Sequence, residues 1–305
     1  MAVATRPLGR TGRTVSELGF GCGGWFAHAW MHDDGAVALI NRALKLGITV
    51  FDTSPAYGDG RSEIRLGRGL EILGPARDHL LISTKVGTVK LGSAYAKDFG
   101  PDAVEAQVVD SLDRLGLQTI PLLVLDAPNP AHLTDDLLDT VVALKGDGVV
   151  GLLGVTGDDT QIAAAMSTGL MDVIMPVHNV VDRSCDDLIS LAEDAGLGVI
   201  AARGLARMAP VPAAGSWLSP ADWWAAIHRW SDREAAAAAG AYRFLDAVEG
   251  WSAADASLGY LLTDNRLSSA LFSTTRMTHL RANLAVSGRA LPEDLRRRIE
   301  RGGRP

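Results

Sequence analysis

The sequence predicts a closed (β/α)8 barrel, one domain over residues 1–305, with a long loop insertion after the seventh strand. Three observations lead there. Short apolar strands alternate with amphipathic helices through eight steps. The strands lack a polar alternation, as in a parallel sheet covered on both faces. An open doubly wound sheet would need a G-x-G-x-x-G turn between its first strand and helix. Gly21-Cys22-Gly23-Gly24 does not open directly onto a helix, which argues against that alternative.

The elements follow in order. Ser16–Gly21 reads as the first strand and Val37–Leu46 as its helix. Thr49–Asp52 is followed by Glu63–Leu70, Leu80–Lys85 by Ala103–Leu115, and Leu122–Asp126 by Leu133–Leu144. Val149–Val155 leads to Thr160–Ser167, and Val173–Val177 to Cys185–Ala195. Gly198–Ala202 is the seventh strand. Ala253–Leu262 is a helix, Ser269–Phe272 the eighth strand and Met277–Val286 the closing helix. Two connections are long. Gly87–Pro101 follows the third strand, and Arg203–Gly250 follows the seventh. In a barrel both lie at the C-terminal face, where active sites form. The second insertion holds Trp217, Trp223, Trp224 and Trp230, and its Ala235–Ala239 run favours helix. These tryptophans either pack the loop onto the barrel wall or roof a pocket.

Composition narrows the function classes. Hydrophobic residues make up 47% and charged residues 21%, with a net charge of −7. No block of Lys or Arg stands out, so nucleic acid and anionic membranes are not expected partners. No run approaches membrane-spanning length and the N-terminus lacks an apolar signal segment, so a cytoplasmic location is expected. Cys22 and Cys185 are far apart and form no disulfide framework or CxxC metal site. No metal ligand set is expected: His28 and His32 are four apart, without HExxH or carboxylate company.

Chemistry concentrates at strand ends. Phe51-Asp52 closes one strand, Tyr57 follows in a Gly-rich loop, and Lys85 closes the next strand. A phenol, with an ordinary pKa of about 10, is a poor acid near neutrality. A nearby ammonium stabilises the phenolate, and a carboxylate keeps that ammonium charged and oriented. Asp52, Lys85 and Tyr57 therefore make a proton donor in which the phenol pKa is expected to come down.

With these residues in view, the chain resembles the aldo-keto reductase superfamily over nearly its whole length. Arg6-Pro7-Leu8-Gly9-Arg10-Thr11-Gly12 and Val15-Ser16-Glu17-Leu18-Gly19-Phe20-Gly21 look like that family's N-terminal hairpin and first strand. Phe51-Asp52-Thr53-Ser54-Pro55-Ala56-Tyr57-Gly58 resembles its signature around the catalytic Asp and Tyr. Ser62-Glu63 and Leu66-Gly67 resemble the next helix, and Ile82-Ser83-Thr84-Lys85 the catalytic-Lys strand. Asn179 with Asp182-Arg183 resembles the sixth strand–helix junction, and Arg276 to Leu284 the cofactor-clamping helix. The resemblance implies a (β/α)8 barrel, a small-molecule substrate, NADPH/NADP+ as cofactor, and hydride transfer with Tyr57 as proton donor.

The pattern breaks in places. Leu123-Val124-Leu125-Asp126-Ala127-Pro128 puts Asp126 where the family's His would end the fourth strand. An ionised carboxylate there repels developing negative charge and raises the phenol pKa. At the nicotinamide end, Thr156 keeps a hydroxyl but the Asn after it is Gly157, Met175 stands in the Gln place, and His178 replaces an aromatic before Asn179. Arg203 follows the seventh strand. Ser273 leads the turn into the last helix, where Arg276, His279 and Asn283 complete the expected cofactor set. Arg276 and His279 are suited to a 2′-phosphate at a helix N-terminus. His28 and His32 are candidates to replace the missing His.

Three functions fit. The first is NADP(H)-dependent reduction of an unusual acceptor. A buried, protonated Asp126 would suit an enone C=C bond and an ionised one a cationic iminium, so reduction of a simple aldehyde is expected less than the family resemblance alone implies. The second is a non-redox acid–base enzyme: a dehydratase, epimerase or cyclase on the same barrel. The third is an auxiliary subunit, against which the retained Asp52, Tyr57 and Lys85 argue. The substrate and the oligomeric state are left open.

Overall fold

A computed structural model describes residues 3–74, 77, 79–92, 94–205 and 240–302. The four insertion tryptophans and Ala235–Ala239 lie outside the described residues. Two strands, β1 (Thr5–Pro7) and β2 (Thr14–Ser16), form an antiparallel hairpin. Then come β3 (Leu18–Gly21), α1 (Asp33–Lys45), β4 (Val50–Asp52), α2 (Arg61–Leu70) and β5 (Leu81–Val86). A second hairpin, β6 (Thr88–Leu91) and β7 (Ala94–Lys97), precedes α3 (Pro101–Leu115). The chain continues through β8 (Ile120–Asp126), α4 (Asp135–Gly146), β9 (Val150–Gly157), α5 (Asp159–Ser167), β10 (Val173–Pro176), α6 (Asp186–Asp194) and β11 (Gly198–Ala201). It ends with α7 (Ala253–Leu262), β12 (Ser269–Phe272), α8 (Met277–Leu284) and α9 (Glu293–Glu300).

The eight parallel strands β3, β4, β5, β8, β9, β10, β11 and β12 close into a barrel, β12 pairing back onto β3. This is the predicted (β/α)8 architecture. Helix ends follow local chemistry. Pro101 opens α3 and a left-handed Gly116 closes it. Thr134 caps α4 through the Leu137 amide, and Asp158 with Gln161 forms a reciprocal capping box on α5.

Two apolar layers hold the barrel. Val50, Leu81, Leu122, Val124, Val173, Met175, Ile200 and Leu271 fill its interior, with Leu8 and Val15 of the N-terminal hairpin packed against them. Larger side chains such as Phe20, Phe51, Ile82 and Leu123 belong to a second cluster with helix residues such as Ile40, Leu66 and Val104.

The boundaries depart from expectation in two informative places. The expected first strand Ser16–Gly21 is divided: Ser16 pairs with Thr5 in the hairpin, and the barrel strand begins at Leu18. Glu17 separates them, its carboxylate taking Arg6 at 3.0 Å and the Ser287 hydroxyl at 2.8 Å. Gly87–Pro101, expected as loop, contains the β6–β7 hairpin. Its alternating residues pair with one another rather than with the barrel.

Candidate active site

Asp52 is the last residue of β4, and Lys85 lies near the end of β5 on the neighbouring strand, so adjacent parallel strands carry them to the same barrel end. The Lys85 Nζ donates to Asp52 Oδ1 at 2.6 Å and to the Thr53 carbonyl at 2.7 Å. The Ser83 hydroxyl donates to the same Asp52 oxygen at 2.8 Å. Both ionic side chains are less than a tenth exposed. The Lys85 ammonium also sits 5.0 Å from the centroid of the Tyr57 ring.

The loop that carries Tyr57 is fixed from several sides. The Thr53 hydroxyl donates to Ser62 Oγ at 2.7 Å, and Ser62 donates to the Cys22 carbonyl at 2.7 Å. Gly58 has φ +66°, and a Cβ there would lie 2.3 Å from the Ala27 carbonyl oxygen, so no side chain fits between the two loops. Buried Glu63 anchors the following helix, accepting from Thr84 Oγ1 and Arg114 Nε, each at 2.6 Å.

Tyr57 corrects one expectation. Lys85 acts to lower its phenol pKa and is the largest single influence. Burial, Asp52 and Asp126 act the other way and together leave the phenol above the ordinary value of 10.0. The phenol thus keeps its proton at neutral pH, as a donor requires. Lys85 itself is pulled down by burial, but Asp52 and Tyr57 outweigh that and hold its ammonium well above the usual 10.5.

Asp126 ends β8 and is a quarter exposed. It accepts from the Thr88 hydroxyl at 2.5 Å and pairs with Lys97 at 3.2 Å through the same oxygen. Lys97 also donates to the Asp126 backbone carbonyl. The next residue, Ala127, has φ +50°, an uncommon backbone state for a residue with a Cβ.

A cavity of about 1480 Å³ joins these groups. Asp52, Tyr57, Lys85 and Asp126 line it, and so do Thr156, Arg203, Ser273, Arg276 and His279. His178 and Asn283 do not line it. His178 is buried and its Nδ1 has no hydrogen-bond partner among the described residues. Burial first, and then nearby Arg266 and Arg183, hold its imidazole below the ordinary 6.5 against the pull of Asp186 and Asp264. His178, Asp186 and Asp264 bring ligand atoms within 4.8 Å of one another, but Arg266 already bridges the two carboxylates at 2.6 and 2.7 Å. Asn283 is buried in α8. Met175 does line the cavity, and its carbonyl accepts the Thr156 hydroxyl at 2.8 Å. His28 and His32 do not line it; their loop presents Trp25, Phe26, Trp30 and Met31 instead.

That aromatic wall was not singled out as a site in the sequence. Trp25 and Trp30 stack at 5.8 Å, and Trp30 is 55% exposed. The loop is held by Arg65, only 2% exposed, which donates to the carbonyls of Phe26 (2.5 Å), His28 (3.0 Å) and Met31 and pairs with Asp33 at 2.8 Å. The hairpin residues Thr88 and Lys97 were also missed. Their signal was a polar residue at every second position on both arms of an alternating run around Gly92.

A sequence profile of the aldo/keto reductase family matches residues 17–301. The chain belongs to the aldo/keto reductase family. This family consists of NAD(P)-dependent oxidoreductases. The chain is 34% identical over 216 residues to the L-galactose dehydrogenase of Arabidopsis thaliana, covering 67% of this chain and 66% of that one. It is 29% identical over 214 residues to the NADH-specific methylglyoxal reductase of Escherichia coli, covering 63% and 64%. Both matches span just under two thirds of the relative's length. Among solved structures, an aldo-keto reductase of Bacillus halodurans in its holo form superposes with a TM-score of 0.81 at 22% identity, over 99% of this chain and 97% of that one. A glycerol dehydrogenase of Gluconobacter oxydans gives 0.79 at 24%, over 100% and 98%. These two likenesses establish the aldo/keto reductase barrel as the fold. Among the described residues, no helix is long and apolar enough to cross a membrane.

Proposed function

We propose that this chain reduces a small-molecule carbonyl with NADPH, Tyr57 acting as the general acid. One observation carries the reading: the Asp52–Lys85–Tyr57 cluster opens into the same cavity as a cationic helix N-terminus. That terminus fits a dinucleotide phosphate. Arg276 is the N-cap of α8, and a phosphate there would meet the first amides of the helix together with that guanidinium. Arg276 and His279 would hold the phosphate end, and Thr156 and Met175 would lie towards the nicotinamide. The bound nicotinamide supplies the hydride.

The residues of the chain do the rest. The Tyr57 phenol gives its proton to the substrate oxygen as the carbonyl carbon is reduced to an alcohol. The phenolate left behind faces the Lys85 ammonium, which Asp52 and the Thr53 carbonyl hold in place. A phenol that stays protonated suits the reducing direction. The Asp126 environment bears on the acceptor. An enone reading needs a protonated Asp126 that donates, and a cationic-substrate reading needs an uncompensated charge. Asp126 instead accepts from Thr88 and is paired with Lys97, which supports the plain carbonyl. The names of the relatives support redox over the non-redox alternative.

The test is consumption of NADPH and NADH against a panel of aldehydes, enones and cyclic imines. Tyr57→Phe should cut the rate about 10²–10⁴-fold, the usual worth of a positioned acid. A variant that reduces as fast as the parent overturns the assignment. NADH preferred over NADPH would remove the phosphate role given to Arg276 and His279; the NADH-specific relative makes that comparison necessary.

A further inference from the structure

The β6–β7 hairpin lies outside the barrel and its residues are half-buried or exposed, so apolar packing does not explain its side chains. Its register pairs Thr88 with Lys97 and Lys90 with Tyr95. In an antiparallel ladder, directly opposed residues share a face, and so do residues two apart. All four side chains therefore lie on one face, and that face meets the active-site rim at two points. At one end Thr88 and Lys97 engage Asp126. At the other, Lys90 reaches Asp59 at 2.5 Å and the Tyr95 hydroxyl donates to Asp59 at 2.8 Å, two residues beyond Tyr57.

We propose that Lys97 is a positioning residue: carried by this hairpin, it compensates the Asp126 charge so that a carboxylate can stand beside the proton donor. This rests on the reading of Tyr57 as the acid. A bare carboxylate on the cavity wall opposes negative charge developing on a substrate oxygen or on the phenol. Lys97 meets it with a charged donor on Oδ2 and a second bond to the backbone carbonyl, while Thr88 fixes the same oxygen and itself accepts from Lys97 at 2.8 Å. The strongest charged influences on Tyr57 are Lys85 from β5, Asp52 from β4 and Asp126 from β8; among the described residues Lys97 meets this set at Asp126. Lys97 does not line the cavity, so its effect is indirect.

The experiment compares Lys97→Met, Lys97→Arg and the double variant Lys97→Met/Asp126→Asn, measuring kcat and KM separately. Stripping the compensating charge from Asp126 should cost Lys97→Met roughly tenfold in kcat, with a smaller change in KM. Lys97→Arg should keep most of the rate. The double variant should recover most of what the single one lost, because no stranded carboxylate remains. A hairpin that served only as a scaffold would show no such recovery. An independent readout needs no turnover: NMR titration of the Tyr57 phenol, assigned with Tyr57→Phe, should move up in Lys97→Met and back down in the double variant. A Lys97→Met protein with unchanged kcat and unchanged titration overturns the proposal while leaving Tyr57 in its role. A Tyr57→Phe protein with full activity sinks the underlying reading instead, and the titration still decides whether Lys97 compensates Asp126. A double variant no better than the single one also overturns it.

Discussion

Replacing Lys85 with Met removes one partner of a buried ion pair and strands the other. At 2.6 Å and an effective dielectric near 20, the attraction between Lys85 and Asp52 is about 6 kcal/mol. Desolvating two ions offsets most of that, so the intact pair contributes little net stability. The single variant is different, because among the described residues Asp52 stays buried with the Ser83 hydroxyl as its one remaining side-chain donor. Such a break costs about 3–5 kcal/mol. With an unfolding entropy of about 2.1 cal/mol/K per residue over 305 residues, that is a fall of roughly 5–8 °C in Tm. The double variant Lys85→Met/Asp52→Leu should fall by less than Lys85→Met alone. The pH dependence has a definite sign. The Lys85 pKa is raised in the folded chain, so its contribution is fully present below the unfolded value of about 10.5 and is lost as pH rises towards the folded value. In urea titrations the gap between wild type and Lys85→Met should be constant from about pH 6 to 9 and should narrow above about 10.5. A single variant as stable as wild type, or a double variant as unstable as the sum of both single ones, would refute the reasoning.

Other expectations follow from the supports of the site. Gly87→Ala should destabilise by at least about 2 kcal/mol in urea titration, because φ is +93° and a Cβ would meet the Phe99 ring at 2.0 Å; an unchanged midpoint counts against it. Arg65→Met orphans the carbonyls of Phe26 and Met31 and leaves His28 only the Met31 amide among the described residues; it should cost about 3 kcal/mol and raise amide exchange across residues 24–32. Full exchange protection there would show that the loop holds itself. Burial, with Asp159 beside it, pushes the Cys185 thiol up to about 12, and burial raises Cys22 well above its usual value. Neither should react with a disulfide reagent at pH 8 until the chain unfolds, and a prompt reaction of the native protein would contradict that.

The barrel was legible because it rests on local pattern: eight apolar runs, each followed by an amphipathic one. Asp52, Tyr57, Lys85 and Asp126 were legible for the same reason, since consecutive strand ends of a parallel barrel must share one face. Arg276 and His279 could be read from their place at the start of a helix. The β6–β7 hairpin was harder. Its alternation is short, and its apolar side, Val89, Leu91, Ala94 and Ala96, is half-buried or exposed, so no core burial demands the strands. His178 was expected at the cofactor, yet its side chain lies off the cavity beside Asp186 and Asp264, because direction at a strand end depends on backbone register that spacing alone does not give. The insertion tryptophans lie outside the described residues, while Trp25 and Trp30, read as neighbours of two histidines, form the aromatic wall.

By itself the sequence determined the family, the order of the barrel's strands and helices, and which ionisable side chains meet at one barrel end. Only the tertiary structure decided how those residues are charged. Tyr57 was expected to be made more acidic by Lys85. Burial and two carboxylates, brought in from β4 and β8, outweigh that single ammonium and raise it. Asp126 looked like a bare negative charge in place of an imidazole. Lys97, 29 residues away in sequence, meets it across the cavity rim. Electrostatic influence falls with distance in space and with exposure to water, and neither distance nor exposure is a property of the order of residues along the chain.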